Sequence, residues 1–325
     1  MRIDDNEGEI MSLSKFLDPK NDYAFKRIFG AEKNKDILIP FLNDILGFSG
    51  DTEIKEVTFL KPIQDPEIAS KKQSIVDVLC KDAQGVQYII EMQVAKTAGF
   101  EKRAQYYAAK AYVNQFNQGD KYKNLKEVIF LAIADFTMFP DKLDYMSKHV
   151  ILDKCSHEHN LKDFSFTFLE LPKFNKGIEE LTNIVERWSY FFKHADETSE
   201  ADLERIIGHN IVLRKAYKEL DQFYWTEEEL ATYEAALKNQ RDAIAIIDAA
   251  IEEGEARAEV KAKAREAIGE ARGKVIGEAI GEVKGIEKVA SNLLAQGVDI
   301  KTIIAVTGLS VAKIQALKEK ELVES

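Results

Sequence analysis

Ser74-Ile75-Val76-Asp77-Val78-Leu79, the turn Lys81-Asp82-Ala83-Gln84-Gly85, and Tyr88-Ile89-Ile90-Glu91-Met92-Gln93 decide the fold. Each flanking run is almost wholly apolar and carries an acidic residue in mid-run. Runs of this length bounded by turn residues read as buried strands. A hairpin closed at Asp82–Gly85 brings residue 77 opposite residue 90 or 91, with directly opposed Cβ atoms about 4.5–5.5 Å apart. Glu91 and Gln93 share a face, because strands have a period of two. An isolated buried carboxylate is costly, so each of these wants a partner.

Working outward, Asp18-Pro19 reads as a helix N-cap followed by Pro at the first helical position. Tyr23, Phe25, Ile28 and Phe29 then recur at helical spacing, and a second helix from about Asn34 to Leu46 stops at Gly47. Ile54–Leu60, Gln73–Lys81 and Val86–Val94 read as strands, Phe100–Gln118 as a helix, and Glu127–Ala134 as a buried strand. Phe164, Phe166 and Phe168 alternate with Ser165 and Thr167 up to Pro172, and 177–235 is helical with the aromatic cluster Trp188, Tyr190, Phe191 and Phe192. The order ααβββαβ, then more strand and helices, predicts an α/β fold: a mixed sheet flanked by helices, with a helical annex. Residues 1–14 are expected to be a loose extension, 15–240 the main domain, 241–288 a stalk or linker, and 289–325 a small helical module.

The chain has 325 residues, 45% of them apolar, and a formal charge of −11 from 56 acidic and 45 basic residues. A net acidic chain is not drawn to DNA as a whole, so any such contact needs a local basic surface. The two cysteines, Cys80 and Cys155, have no metal-ligand spacing, and His157-Glu158-His159 reads as a polar loop rather than a zinc site. No run approaches the roughly 20 apolar residues of a membrane span. The opening MRIDDNEGEI is acidic and lacks an apolar core, which reads against a signal peptide and for a cytoplasmic protein.

Two carboxylates meeting across a hairpin repel unless a cation lies between them. Hard oxygen ligands suit Mg²⁺ or Mn²⁺, which can activate water and stabilise charge on a phosphate. A salt-bridged structural pair is the bland alternative. The Glu-x-Gln spacing, the preceding helices and the basic helix that follows favour the metal reading.

Asp77 followed by Glu91-Met92-Gln93 resembles the Asp…Glu-x-Lys signature of PD-(D/E)XK nucleases. Asp18-Pro19-Lys20-Asn21-Asp22-Tyr23-Ala24-Phe25-Lys26 and Arg103-Ala104-Gln105-Tyr106-Tyr107 resemble the Rpn family of recombination-promoting nucleases, also called PD-(D/E)XK family transposases. The likeness spans roughly 15–240. It implies a restriction-endonuclease-like core and Mg²⁺-dependent DNA endonuclease activity, tied to recombination, mobile elements or defence. It also implies that Asp77 and Glu91 bind the metal, that Gln93 orients water or the scissile phosphate, and that Asp22 is an auxiliary ligand. Gln93 departs from the usual lysine, and Lys20, Lys26 or Lys96 is then expected to supply positive charge. A non-catalytic DNA-binding accessory protein with a decayed nuclease fold is the alternative.

The Phe100–Gln118 helix interleaves Lys102, Arg103 and Lys110 with Tyr106, Tyr107 and Tyr112, a pattern suited to phosphate contact and stacking on DNA. Gly269, Gly273, Gly277, Gly281 and Gly285 recur every fourth residue. They make either a flexible linker or a smooth stripe for self-association, hence a homodimer through this region. After Gly297, the turn Thr307-Gly308-Leu309-Ser310 between apolar segments fits a helix-turn-helix, with Lys313 and Gln315 exposed toward DNA or, alternatively, the module is a packing cap.

Overall fold

The computed structural model describes residues 15–61, 76–116, 119 and 121–324. The expected extension at 1–14, and Gln73, Ser74 and Ile75 of the second expected strand, lie outside the described residues. The chain divides into two compact units, Met1–Ala245 and Ile246–Ser325.

The first unit opens with α1 (Asp22–Phe29) and α2 (Lys35–Leu46). Three strands follow, β1 (Val57–Phe59), β2 (Val78–Asp82) and β3 (Gln87–Gln93). Next come α3 (Phe100–Val113) and β4 (Val128–Ala134), then β5 (Met146–Ile151) and β6 (Leu161–Glu170). Helices α4 (Ile184–His194), α5 (Glu200–Ile207) and α6 (Ile211–Leu220) complete it. The strands form one six-stranded sheet in the order β1-β2-β3-β4-β6-β5. The β1–β2–β3 meander is antiparallel; β3, β4 and β6 run parallel, and β5 closes the far edge antiparallel to β6. A parallel step from β3 to β4 needs a crossover, and α3 supplies it.

Every residue of β4, Val-Ile-Phe-Leu-Ala-Ile-Ala, is buried, as a central strand covered on both faces must be. One face, with Val78, Cys80, Ile90, Leu131 and Ile133, packs on the layer built by α1, α2, α4 and α6. The other, with Leu79, Ile89, Phe130 and Ala132, packs on Phe100, Ala104, Tyr107 and Ala108 of α3. At the centre of the larger layer Phe41 lies between Phe29 and Trp188, with ring centroids 4.7 and 5.1 Å away. The Trp188 indole N–H donates to Asp44 Oδ2 at 2.9 Å, so its polar edge is satisfied.

Three readings are corrected. The first helix is capped by Asn21, whose side chain accepts from the Tyr23 and Ala24 amides; Asp18 instead closes a turn by accepting from the Lys20 amide. The β5 strand escaped notice because it is an exposed edge whose Ser147, Lys148 and His149 break any apolar alternation. The stretch 177–235 is several short helices, because Gly208 and Asp221 interrupt it.

Helix α7 (Glu227–Ala295) begins in the first unit and continues in the second, running through all five periodic glycines. In the second unit, α8 (Ile300–Thr307) and α9 (Val311–Glu324) follow. Gly308, at φ 68°, ends α8 in the left-handed conformation that glycine adopts without strain. Ala290, Ile303 and Ile314 form the core of this unit. The α8–α9 bend of 117° over a three-residue turn matches helix-turn-helix geometry.

Phe41→Ala opens a void between α1, α2 and α4 and is expected to cost about 3–5 kcal/mol. Urea unfolding measures it; a loss below about 1 kcal/mol contradicts this packing.

Candidate active site

Asp77 immediately precedes β2. The register pairs Val78 with Ile90, so one step further places Asp77 beside Glu91 on the face covered by α3. The Met92 amide donates to Asp77 Oδ2 at 2.8 Å and fixes that carboxylate against the end of β3. Glu91 is 6% exposed and its Oε2 has no hydrogen-bond partner. The residues beside Glu91 and Gln93 on β4 are Ala132 and Ala134.

Cations reach the carboxylates from two helices. On α1, burial of Ala24, Phe25, Ile28 and Phe29 turns Lys26 toward the strand ends. Its Nζ lies 2.6 Å from Asp22 Oδ1 and 3.3 Å from Asp77 Oδ1. On α3, an Arg103 terminal nitrogen lies 3.5 Å from Glu91 Oε1 and donates to Gln93 Oε1. The Gln93 amide nitrogen donates to the Ala95 carbonyl at 2.8 Å, so its carbonyl end is the one left facing Arg103. The Arg103 guanidinium stacks 4.8 Å from the Phe100 ring centroid, and its Nε is buried without a partner.

Burial dominates the electrostatics. It pushes Asp77 up to about 7, against the pull of Lys26 and with the repulsion of Asp22. It holds Glu91 well above the usual carboxylate range, with Asp77 adding to the shift and Arg103 and Lys26 opposing it. Burial works against the charge of Lys26, yet Asp77 and Asp22 leave its affinity for a proton raised.

The structure thus brings Asp22, Asp77, Glu91, Gln93 and Arg103 together. Among the charge donors expected from sequence, Lys26 reaches the pair. Lys20 is held elsewhere, 3.2 Å from Asp18 and 3.4 Å from the Phe192 carbonyl. Lys96 is exposed. Arg103 was expected, with Lys102 and Tyr106, to turn toward the site and contact DNA, and it reaches Glu91; its spacing ten residues beyond Gln93, on a crossover helix returning over the same strands, carries that signal. Lys102 and Tyr106 are exposed on α3, and Lys110 lies 5.7 Å from the Tyr106 ring centroid. Tyr107 and Ala108 face inward. In the second unit Lys313 and Gln315 are exposed, with Lys313 paired to Glu287 at 2.8 Å.

The donor set fits a hard dication. The oxygens are paired, and Glu91 Oε2 has no hydrogen-bond partner. Among the described residues no group of three or more His, Cys, Asp or Glu is placed to hold a metal ion.

Two known families match the chain. The model of the PD-(D/E)XK nuclease family transposases matches residues 19–250, well over half of the chain, and the chain belongs to that family. The C-terminal helix-turn-helix domain of the Rpn/YhgA-like nuclease family matches residues 285–319, the stretch that holds α8 and most of α9. No curated protein and no solved structure matches the chain significantly.

Because Asp77 holds its proton up to about pH 7 in the fold but only to about 4 when unfolded, the folded state binds more protons between those values. Stability of the metal-free protein therefore falls as pH rises through that window. Asp77→Asn removes this contribution. The variant's melting temperature relative to the parent is expected to rise by about 3 °C or more between pH 5 and pH 8, the shift that about 1 kcal/mol makes in a domain of this size. A difference that stays constant with pH contradicts the raised Asp77 carboxyl.

Proposed function

We propose that the protein is a metal-dependent DNA endonuclease and that Asp77 and Glu91 hold the ion, Mg²⁺ by preference, with Mn²⁺ able to substitute. The observation that carries this is the Asp77–Glu91 pair with an orphaned Glu91 oxygen at the ends of β2 and β3. A dication held by Asp77 and Glu91 would supply Lewis-acid chemistry, activating water and offsetting charge that builds on the phosphate. The water oxygen forms a new bond to phosphorus while one ester P–O bond breaks. The products are a phosphate monoester and a hydroxyl, and the proton lost by water ends on the leaving oxygen.

The chain's own groups prepare this step. The Met92 amide fixes one Asp77 oxygen and leaves the other turned toward Lys26. Asp22, across Lys26 from Asp77, is the auxiliary carboxylate for the hydrated ion. Gln93 presents its carbonyl on the same face as Glu91 and orients water or the scissile phosphate. Lys102, Arg103, Tyr106 and Lys110 line α3 as the DNA-facing stripe, and Lys313 and Gln315 of α9 add contacts from the helix-turn-helix. The periodic glycines of α7 are open to solvent, with no neighbouring atom within reach of an added Cβ, and form a surface for a second copy of the chain. No single helix among the described residues is long and apolar enough to cross a membrane. A cytoplasmic location, with access to DNA, is part of this reading.

Supercoiled plasmid with Mg²⁺ tests the activity. The parent should nick it, and Asp77→Ala should lose at least about 10³-fold in rate, the scale of removing a group that stabilises transition-state charge. Equal nicking by both proteins overturns the site. Mg²⁺-independent binding with no cleavage of any DNA form supports instead the non-catalytic accessory protein. Lys102→Ala and Lys110→Ala should each lower the salt slope of DNA binding by about 1.

A further inference from the structure

We propose that Arg103 is an exchangeable counter-ion: it sits against Glu91 Oε1 in the metal-free site, then releases it to the dication and turns the freed donors to a non-bridging oxygen of the scissile phosphate. This rests on the nuclease reading and assigns the cation that the lysine-free Glu91-Met92-Gln93 run lacks.

Three observations carry it. The contact to Glu91 is loose, 3.5 Å, whereas the same nitrogen is hydrogen-bonded to Gln93. The guanidinium is held in place by neutral groups, the Gln93 carbonyl and the Phe100 ring. Glu91 can therefore leave without Arg103 losing its position. Lastly, Arg103 Nε and Glu91 Oε2 are each buried without a hydrogen-bond partner. Unsatisfied buried polar atoms are costly, and each marks a place for a further partner. Arginine offers a rigid fork of donors that matches two phosphate oxygens.

Lys26 is the other cation at the site, but it is shared between Asp22 and Asp77 at 2.6 and 3.3 Å. Its single ammonium is already bound on both sides. Arg103 reaches the pair from α3, the helix that also carries exposed Lys102 and Tyr106, so a strand of DNA lying along that helix meets Arg103 at the carboxylates. Gln93 is then a positioning residue. Its amide is anchored at Ala95, and it sets the guanidinium where a side chain from position 93 would itself put a charge.

The test compares full-length parent, Arg103→Gln, and the double variant Arg103→Gln with Gln93→Lys. Titration with Mn²⁺ alone should show Arg103→Gln binding the ion roughly tenfold tighter, the scale on which neighbours of metal ligands act. Plasmid nicking in saturating Mg²⁺ should show kcat reduced about 10²–10³-fold with KM little changed, as for loss of a group that acts on transition-state charge. Adding Gln93→Lys should recover most of that loss by returning a cation to the same face. Tighter metal with slower turnover is a split that misfolding does not produce, since misfolding weakens both. Unchanged or weaker Mn²⁺ binding by Arg103→Gln overturns the proposal, as does kcat within about twofold of the parent, a difference under roughly 0.5 kcal/mol. If the parent itself does not nick DNA, the nuclease reading falls, and with it the phosphate role of Arg103. The Mn²⁺ titration still decides the counter-ion role.

Discussion

A half-buried aspartate and a buried glutamate, side by side at the end of a hairpin, are the constraint around which the first unit is arranged. Neither Asp77 nor Glu91 can be solvated freely, and burial drives both toward the protonated form. The backbone meets part of this demand: the Met92 amide holds Asp77, and the β2–β3 register sets Glu91 beside it. The central strand sets the small side chains of Ala132 and Ala134 beside Glu91 and Gln93.

The rest of the demand is met by charge delivered from both sides of the sheet. Lys26 arrives from α1 because the opposite face of that helix is locked into the aromatic core by Phe25 and Phe29. Arg103 arrives from α3 because Phe100, Ala104, Tyr107 and Ala108 seat that helix on the sheet. Core packing thereby becomes electrostatics: the apolar faces fix the helices, and the helices fix the cations. An arrangement in which positive side chains are shared out between carboxylates, with one acceptor and one donor left over, is balanced for exchange rather than for permanent pairing.

Much of this was legible in the sequence, and the reasons are local. The carboxylate in each apolar strand, the polar turn between them and the helical period before and after gave the order ααβββαβ, which the structure shows. Gly47 marked the end of α2 because a left-handed cap at φ 78° favours glycine. Long-range contacts were not legible. That Lys26 rather than Lys20 reaches Asp77 depends on where α1 begins, and that is set by Asn21, whose side chain also ties to the Tyr233 carbonyl far along the chain. The Arg103–Gln93 contact depends on the crossover geometry of α3, which spacing alone does not fix. The β5 strand is held by pairing with β6, so its own mixed residues carry little signal.

Family membership gives the chain a nuclease core and a helix-turn-helix, and the geometry supplies a reason for a cation at the centre of the first. The most direct measurement is anomalous diffraction from crystals grown with Mn²⁺. The account predicts a peak ligated by Asp77 and by Glu91 through the oxygen that is orphaned without metal, with the Arg103 nitrogen moved off Glu91. A site that stays closed by Lys26 and Arg103 at saturating Mn²⁺, or a peak that touches neither carboxylate, would contradict it.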